Sequence, residues 1–376
     1  MNTQSASEHT AAATESDARL AMLSALGWRR EFDALLPAPL PPEARVARVV
    51  AQHRNSYDVH DGSGIHPAAI ARSLHKPGVA AEQRPAVGDW VWMTPQDDGS
   101  WLISAHLRRH SLLRRAAAGE AHRAQIIASN VDTALIVCGL DGDFNPRRIE
   151  RYLAIVVDSG AAAVVVLTKA DQRDDADALQ ADLAAQLGGG IAVVAVNAKS
   201  TTSLATLAPW LGRGQTLVLV GSSGAGKSTL TNTLIGSEAM KTGAVRASDS
   251  RGRHTTSHRA LWSLPGGACL IDTPGMREIK LLGDEDLAAA NFSDVERLAG
   301  LCRFCDCQHG NEPGCAVQAA LADGSLARTH WDSFCKLQAE QEAVRRRSDA
   351  HLRKAAERSG QLPFRARLQE KYGKSR

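Results

Sequence analysis

The sequence predicts a central doubly wound α/β domain, with a small all-β barrel before it and a helical, cysteine-bearing region after it. Three observations lead there. Between about 124 and 282, strand-like apolar runs alternate with helical patterns, the mark of a sheet covered on both faces. From Ala44 to about Arg115 the apolar runs are short and broken by turn residues. Four of the seven cysteines fall between Cys302 and Cys315.

The bulk numbers fit this plan. A chain of 376 residues holds two or three domains. It is 44% hydrophobic and 23% charged, ordinary for a soluble protein. No apolar run approaches the ~18 residues of a membrane span. The N-terminus has neither a basic n-region nor an apolar core, so no signal peptide is expected and the cytoplasm is the expected compartment. The net charge of +3 is unevenly spread. Residues 341–376 carry eleven Lys/Arg against four Asp/Glu, which suggests an anionic partner such as nucleic acid or simply a solvated basic helix.

Residues 1–40 are expected to form a flexible N-terminal extension. Within it, Leu20, Leu23, Leu26, Trp28 and Phe32 have helix-compatible spacing, and the Pro-rich stretch Leu36–Pro42 reads as a linker. Residues 41–115 are expected to form the barrel, OB-type first and SH3-like second. Its strands are Val46–Ala51, Tyr57–His60, Trp90–Met93 and Trp101–Ser104, separated by turns such as Asp61-Gly-Ser-Gly64. The basic flank Arg108–Arg115 either tracks a phosphate backbone or is a solvated linker.

Residues 116–282 carry the α/β pattern. Strands are predicted at Thr133–Cys138, Ala162–Leu167, Ile191–Val196, Thr216–Val220 and Ala268–Ile271, with helices at Pro146–Asp158 and Ala176–Leu187. The fourth strand runs into Gly221-Ser222-Ser223-Gly224-Ala225-Gly226-Lys227-Ser228, which fits G-x-x-x-x-G-K-[ST], and Thr229 continues into a helix. In this strand–loop–helix setting, bare backbone N–H groups converge on phosphate oxygens. Lys227 would reach the β/γ-phosphates and Ser228 would ligate Mg²⁺.

Three shorter motifs complete a guanine nucleotide site. Asp272-Thr-Pro-Gly275 begins 51 residues after Gly221. There Asp272 would hold Mg²⁺ and the Gly275 N–H would face the γ-phosphate. Thr168-Lys169-Ala-Asp171 follows an apolar strand, and the Asp171 carboxylate can accept the guanine N1–H and N2–H₂ pair that adenine lacks. Lys169 could cover the base and brace the phosphate loop. Asn197-Ala198-Lys199 ends the next strand, where a backbone N–H could meet guanine O6, though an ordinary strand exit would look the same. The base-reading motifs precede the phosphate loop, so the same parts close a sheet only if the chain is circularly permuted.

With TKAD (168–171), GSSGAGKST (221–229), GRHTT (252–256), DTPG (272–275) and a C-x₄-C-x-H-x₅-C cluster, the chain resembles the RsgA (YjeQ) family over roughly residues 40–340. The resemblance implies a circularly permuted P-loop GTPase domain, an OB-like barrel and a C-terminal α-helical zinc-binding domain, here 283–376. It also implies GTP hydrolysis stimulated by the small ribosomal subunit, late maturation of that subunit with release of other assembly factors, contact with its rRNA, and a monomer.

The segment Ser248–His258 lies between the loop and Asp272 and reads as a switch. One of Thr255 and Thr256 would supply the second protein ligand to Mg²⁺, and Thr256 is the choice. Met276 stands where many GTPases place a water-orienting Gln. His254 is the candidate to orient the water instead, with a structural or RNA-contacting role as the alternative.

Between Cys302 and Cys315 there are five candidate ligands for a four-coordinate Zn²⁺. The family pattern selects Cys302, Cys307, His309 and Cys315, leaving Cys305 as a rival partner of Cys302. Three thiolates and a closed coordination shell make the site structural. Two other classes compete with a GTPase: a zinc and OB-barrel RNA-binding chaperone with a poorly hydrolysing nucleotide site, and another P-loop enzyme such as an ATPase or small-molecule kinase. Intact Lys227, Ser228, Asp272 and Asp171 weigh against the first, and Asp171 in its TKAD context against the second.

Overall fold

The computed structural model describes residues 17–53, 56–75, 79–117, 120–142, 144–188, 190–236, 259–272, 292–310, 312–343, 345, 346 and 349. The chain divides into two compact units, residues 1–114 with 126–279, and residues 115–125 with 280–376.

The first unit is organised by one 11-stranded sheet. Its parallel part uses β8 (Thr133–Gly139), β9 (Ala162–Thr168), β10 (Ala192–Ala195), β11 (Thr216–Val220) and β13 (Cys269–Asp272) in the order β10-β9-β8-β11-β13. Every residue of β8 and β11 is buried, as expected of central parallel strands covered on both faces. The helix Pro146–Asp158 returns from β8 to β9. Asn145 caps it by accepting from Arg148 N, with Pro146 at the first helical position, and Ile149, Tyr152, Leu153 and Val156 form its buried stripe. Strand β12 (Arg259–Ser263) pairs antiparallel with β13, and its start pairs with β1 (Arg45–Gln52) through Ala51↔Ala260 and Gln52↔Arg259.

Strand β1 opens the barrel. With β2 (Tyr57–His60), β3 (Ile65–Ile70), β4 (Trp90–Pro95) and β5 (Trp101–His106), the order is β1-β2-β3-β5-β4, and a β1–β4 pairing closes the ring. Ala47, Val49, Val59, Val91, Met93 and Ile103 fill it. The sequence pattern does not single out β3, because Pro67 interrupts it. The structure places Pro67 in the antiparallel β2–β3 ladder opposite Asp58. A separate two-stranded ribbon joins β6 (Leu112–Ala117) to β7 (Glu120–Ser129).

Two sequence expectations need correction. Residues 17–35 are a packed part of the first unit rather than a flexible extension. They form a helix (17–25) and the 3₁₀ turn Arg30–Leu35. Leu23, Leu26 and Phe32 are buried, and Trp28 meets Trp90 edge-on at 4.8 Å. The spacing of these apolar residues was visible, but the surface that receives them was not. The basic flank is also partly structural. Arg109 forms a buried two-pronged pair with Asp89 at 2.6 and 2.7 Å, and Arg114 pairs with Asp158 at 3.2 Å.

Arg48 on β1 is a buried junction. Its guanidinium donates to the carbonyls of Gly88 (3.3 Å), Asn130 (3.2 Å) and Leu26, and lies 5.2 Å from the Trp90 ring centroid. Burial pulls its pKa below the ordinary value, while Cys269, Asp132 and Asp89 act in the opposite direction. One planar fork thus joins the N-terminal segment, the barrel and the turn before β8.

The second unit has helices Ser293–Ala299 and Ala316–Asp323 and a helix over 328–343. Phe292, Val295, Val317, Leu326 and Leu337 form its core, with Phe292 stacked on His330 at 4.8 Å. No helix among the described residues is long and apolar enough to cross a membrane.

Truncating Arg48 takes a buried donor from three carbonyls, of which, among the described residues, only that of Gly88 keeps another, Asn130 Nδ2 at 3.0 Å. Arg48→Ala should lower unfolding stability by about 3 kcal/mol. Arg48→Lys should recover less than half of that, because one ammonium cannot span three sites. Urea unfolding followed by tryptophan fluorescence measures both; equal midpoints for all three proteins would remove Arg48 as a junction.

Candidate functional site

Because β8, β9, β10, β11 and β13 are parallel, their carboxyl ends share one edge of the sheet. Open α/β sheets bind ligands at that edge. It gathers Thr168–Asp171 after β9, Asn197–Lys199 after β10, Gly221–Ser228 after β11, and Asp272 at the end of β13.

The phosphate loop leaves β11 against β8. Gly221 has φ 146°, and a Cβ there would lie 2.1 Å from the Val137 carbonyl oxygen, so only glycine fits. Lys227 opens the helix Lys227–Ile235 and donates to the Gly221 carbonyl at 2.7 Å and to that of Ser222. Ser223, Gly224 and Ser228 are exposed, while Ala225 is buried.

The segments expected to read the base are fastened to this loop. The fully buried Thr168 hydroxyl donates to the Ala225 carbonyl at 2.6 Å. Ala170 N donates to the Val196 carbonyl at 3.3 Å, and the Thr233 hydroxyl to the Ala198 carbonyl at 2.7 Å. The Asn197 side chain accepts from Lys199 N at 2.9 Å, which shapes its turn. Asp171 is exposed, in the turn Ala170–Gln172. The brace expected of Lys169 is made by Thr168. Lys169 has a left-handed backbone (φ 62°), and its ammonium is paired with Asp141 beyond the end of β8. Asp141 does not stand out in the sequence. A carboxylate two residues past a buried strand was its only local signal.

His254, Thr255, Thr256, Gly275 and Met276 lie outside the described residues, as do Arg347, Arg353 and Lys354 of the basic tail. Asp272 is half-buried.

In the second unit, Cys302, Cys307, His309 and Cys315 bring one donor atom each within 4.8 Å of one another. Cys302 Sγ lies 3.9 Å from Cys315 Sγ and 3.5 Å from His309 Nδ1, which is 3.6 Å from Cys315 Sγ. Zinc with ~2.3 Å bonds to sulfur needs donor separations of about 3.7 Å in a tetrahedron, so the group fits the ion. Cys305 is exposed and outside this group. Cys315 caps the helix Ala316–Asp323 by accepting from Gln318 N at 3.4 Å. Gln318 Nε2 donates to the His309 carbonyl at 2.5 Å, supporting its left-handed backbone (φ 55°).

The cluster's electrostatics are those of crowded thiols. Burial opposes ionisation of Cys302, but N–H groups of Ala316 and Val317 and the neighbouring thiols bring its pKa down. Burial, followed by the thiols beside it, pushes Cys307 up to about 11. A divalent cation would reverse that resistance.

Strand order, phosphate loop and reversed motif order together define a circularly permuted GTPase fold with an N-terminal β-barrel. The RsgA GTPase family model matches residues 106–282. The small ribosomal subunit biogenesis GTPase RsgA of Xanthomonas axonopodis pv. citri is 56% identical over 305 residues, covering 80% of this chain and 81% of that protein. Its counterpart in Xanthomonas oryzae pv. oryzae is 55% identical over 316 residues, 83% of this chain and 84% of its own. The chain belongs to the RsgA family of GTP-hydrolysing enzymes. Two solved structures share the fold. YjeQ from Thermotoga maritima has a TM-score of 0.58 at 24% identity, over 79% of this chain and 98% of that one. YloQ, described as a circularly permuted GTPase, has a TM-score of 0.57 at 22% identity, over 80% of this chain and 96% of its own.

The two loop glycines should differ. Gly224→Ala meets nothing within 4 Å and carries only the strain of φ 82°, about 1–2 kcal/mol. Gly221→Ala also drives a methyl into β8 backbone. Thermal unfolding should show at least twice the drop in Tm for Gly221→Ala, whereas equal drops would mean that the contact with Val137 does not constrain the loop.

Proposed function

We propose that this chain binds GTP at the carboxyl edge of β8–β11 and hydrolyses it when engaged with the small ribosomal subunit, during late maturation of that subunit. The observation that carries the nucleotide assignment is the hydrogen bond from Thr168 to Ala225, which joins the guanine-reading segment to the phosphate loop. The subunit assignment rests on the curated relatives, whose names place them in small-subunit biogenesis.

In this proposal the loop N–H groups and Lys227 hold the triphosphate. Asp171 accepts from the guanine edge, with the backbone of Asn197–Lys199 beside it. Ser228 in the first turn of the helix Lys227–Ile235 and Asp272 at the end of β13 offer hard oxygens, and with Thr256 would hold Mg²⁺, which when bound neutralises charge on the β- and γ-phosphates. His254 orients the attacking water. The OB-like barrel and the zinc module contact rRNA largely through phosphates. Hydrolysis favours release of the protein and of other assembly factors. The protein acts in the cytoplasm as a monomer.

The deciding experiment is GTP turnover titrated with purified small subunits, run beside Asp171→Asn. Turnover should rise with subunit concentration, and the variant should lose preference for GTP over ATP by tenfold or more. A flat titration removes the ribosomal part; an unchanged preference removes the guanine assignment.

We further infer one structural Zn²⁺ per chain, held by Cys302, Cys307, His309 and Cys315. Metal analysis should find one zinc in the wild type and in Cys305→Ser. Cys307→Ser should lose it, and far-UV circular dichroism should then show lost helix. Zinc loss in Cys305→Ser would overturn this ligand set.

A further inference from the structure

We infer that Asp141 is a positioning residue of the nucleotide site. It holds the Lys169 ammonium and so fixes the lysine stem as one wall of the purine pocket. The inference rests on the guanine nucleotide assignment proposed above and deepens it.

Three observations converge. The first is the ion pair itself. Lys169 and Asp141 lie 28 positions apart, on the segments that leave β9 and β8, and their side chains are 26% and 37% exposed. The second is the backbone of Lys169. A left-handed lysine is disfavoured and persists only where its surroundings hold it. Here the neighbours are tied on both sides: Thr168 to Ala225, and Ala170 to Val196. The two strand exits are tied as well, by Leu140 N donating to the Thr168 carbonyl at 2.9 Å.

The third is Gly139, the last residue of β8. It needs no positive φ, so backbone conformation does not demand glycine. A Cβ there would stand 2.8 Å from Asp141 Oδ1, 3.2 Å from Lys169 Nζ and 3.3 Å from Lys169 Cε. The glycine makes room for the pair.

The consequence is preorganisation. A free lysine has four side-chain rotors to order when a ligand packs on its stem. With the ammonium held, much of that freedom is already gone before the nucleotide arrives. Lys169 is also spared the task of bracing the phosphate loop, which Thr168 performs. A wall that touches the base acts alike on bound substrate and transition state. It therefore affects affinity and KM more than kcat.

The test uses the full chain, with a fluorescent GDP analogue and steady-state GTP hydrolysis. Asp141→Ala and the near-isosteric Asp141→Asn should raise the Kd for GDP about threefold to fivefold, the range of a part-exposed pair. KM for GTP should rise in parallel while kcat stays within about twofold. Gly139→Ala, which displaces the pair without removing a charge, should give a similar loss. The deciding arm is Asp141→Ala in a Lys169→Met background, where it should have no further effect. An unchanged Kd in Asp141→Ala, or the same loss persisting in the Lys169→Met background, overturns the inference. Failure of the nucleotide assignment would show separately, as an unsubstituted protein that does not prefer GDP to ADP, and would sink both.

Discussion

The hydrogen bond from Thr168 to the Ala225 carbonyl is the joint on which the site depends. Its partners are 57 positions apart, and Thr168 is wholly buried. In a permuted chain, nothing in local sequence brings the segment proposed to read the base to the phosphate loop. The parallel sheet does so coarsely, by aligning the carboxyl ends of β9 and β11 on either side of β8. The hydroxyl does so finely. An unmatched carbonyl there would be a buried acceptor without its donor, worth about 1–3 kcal/mol, so the joint also disfavours slippage of the loop.

A second joint ties the barrel to the sheet. Strand β12 is shared, pairing with β13 on one side and with β1 on the other. Arg48 reinforces the join from β1, and Asp132 does so from the start of β8, accepting from Thr216 N at 2.7 Å while pairing with Arg29. Displacement of β12 would therefore be felt in the barrel, because both of its ladders are made of backbone hydrogen bonds.

Much of this was legible in the chain. The alternation of apolar runs marks β8, β9, β10, β11 and β13 to within one or two residues, because buried parallel strands must be continuously apolar and their connections polar. The motif residues of the nucleotide site stand at strand exits, where sequence patterns are strong. The four members of the Cys/His cluster were nameable because their spacing is local and matches the family pattern. What escaped depends on long-range pairing. Strand β3 hides behind Pro67, and β12 is recognisable only once β1 and β13 are in place. The docking of residues 17–35 required the Trp90 surface. Asp141 required knowledge that β8 and β9 are neighbours in the sheet. In each case the missing information was the identity of a partner far away in sequence.

The permutation has a mechanical consequence. The segment expected to be the switch enters β12 directly at Arg259, and β12 pairs with barrel strand β1. Asp272 ends β13, and the chain then runs on to the second unit. In the proposed function both segments are therefore joined through the chain to the parts proposed to touch rRNA. A nucleotide can shift the balance between bound and released protein only through a free-energy difference between the two states. Short covalent paths matter because each flexible residue inserted between sensor and effector adds states over which that difference is diluted. Continuity through β12 means that a change at the switch need not be transmitted by diffuse repacking. In the proposed function such a change would act on a ladder whose register, Ala51↔Ala260 and Gln52↔Arg259, is discrete. A strand pair either keeps such a register or loses it, so the response proposed here would be two-state rather than graded.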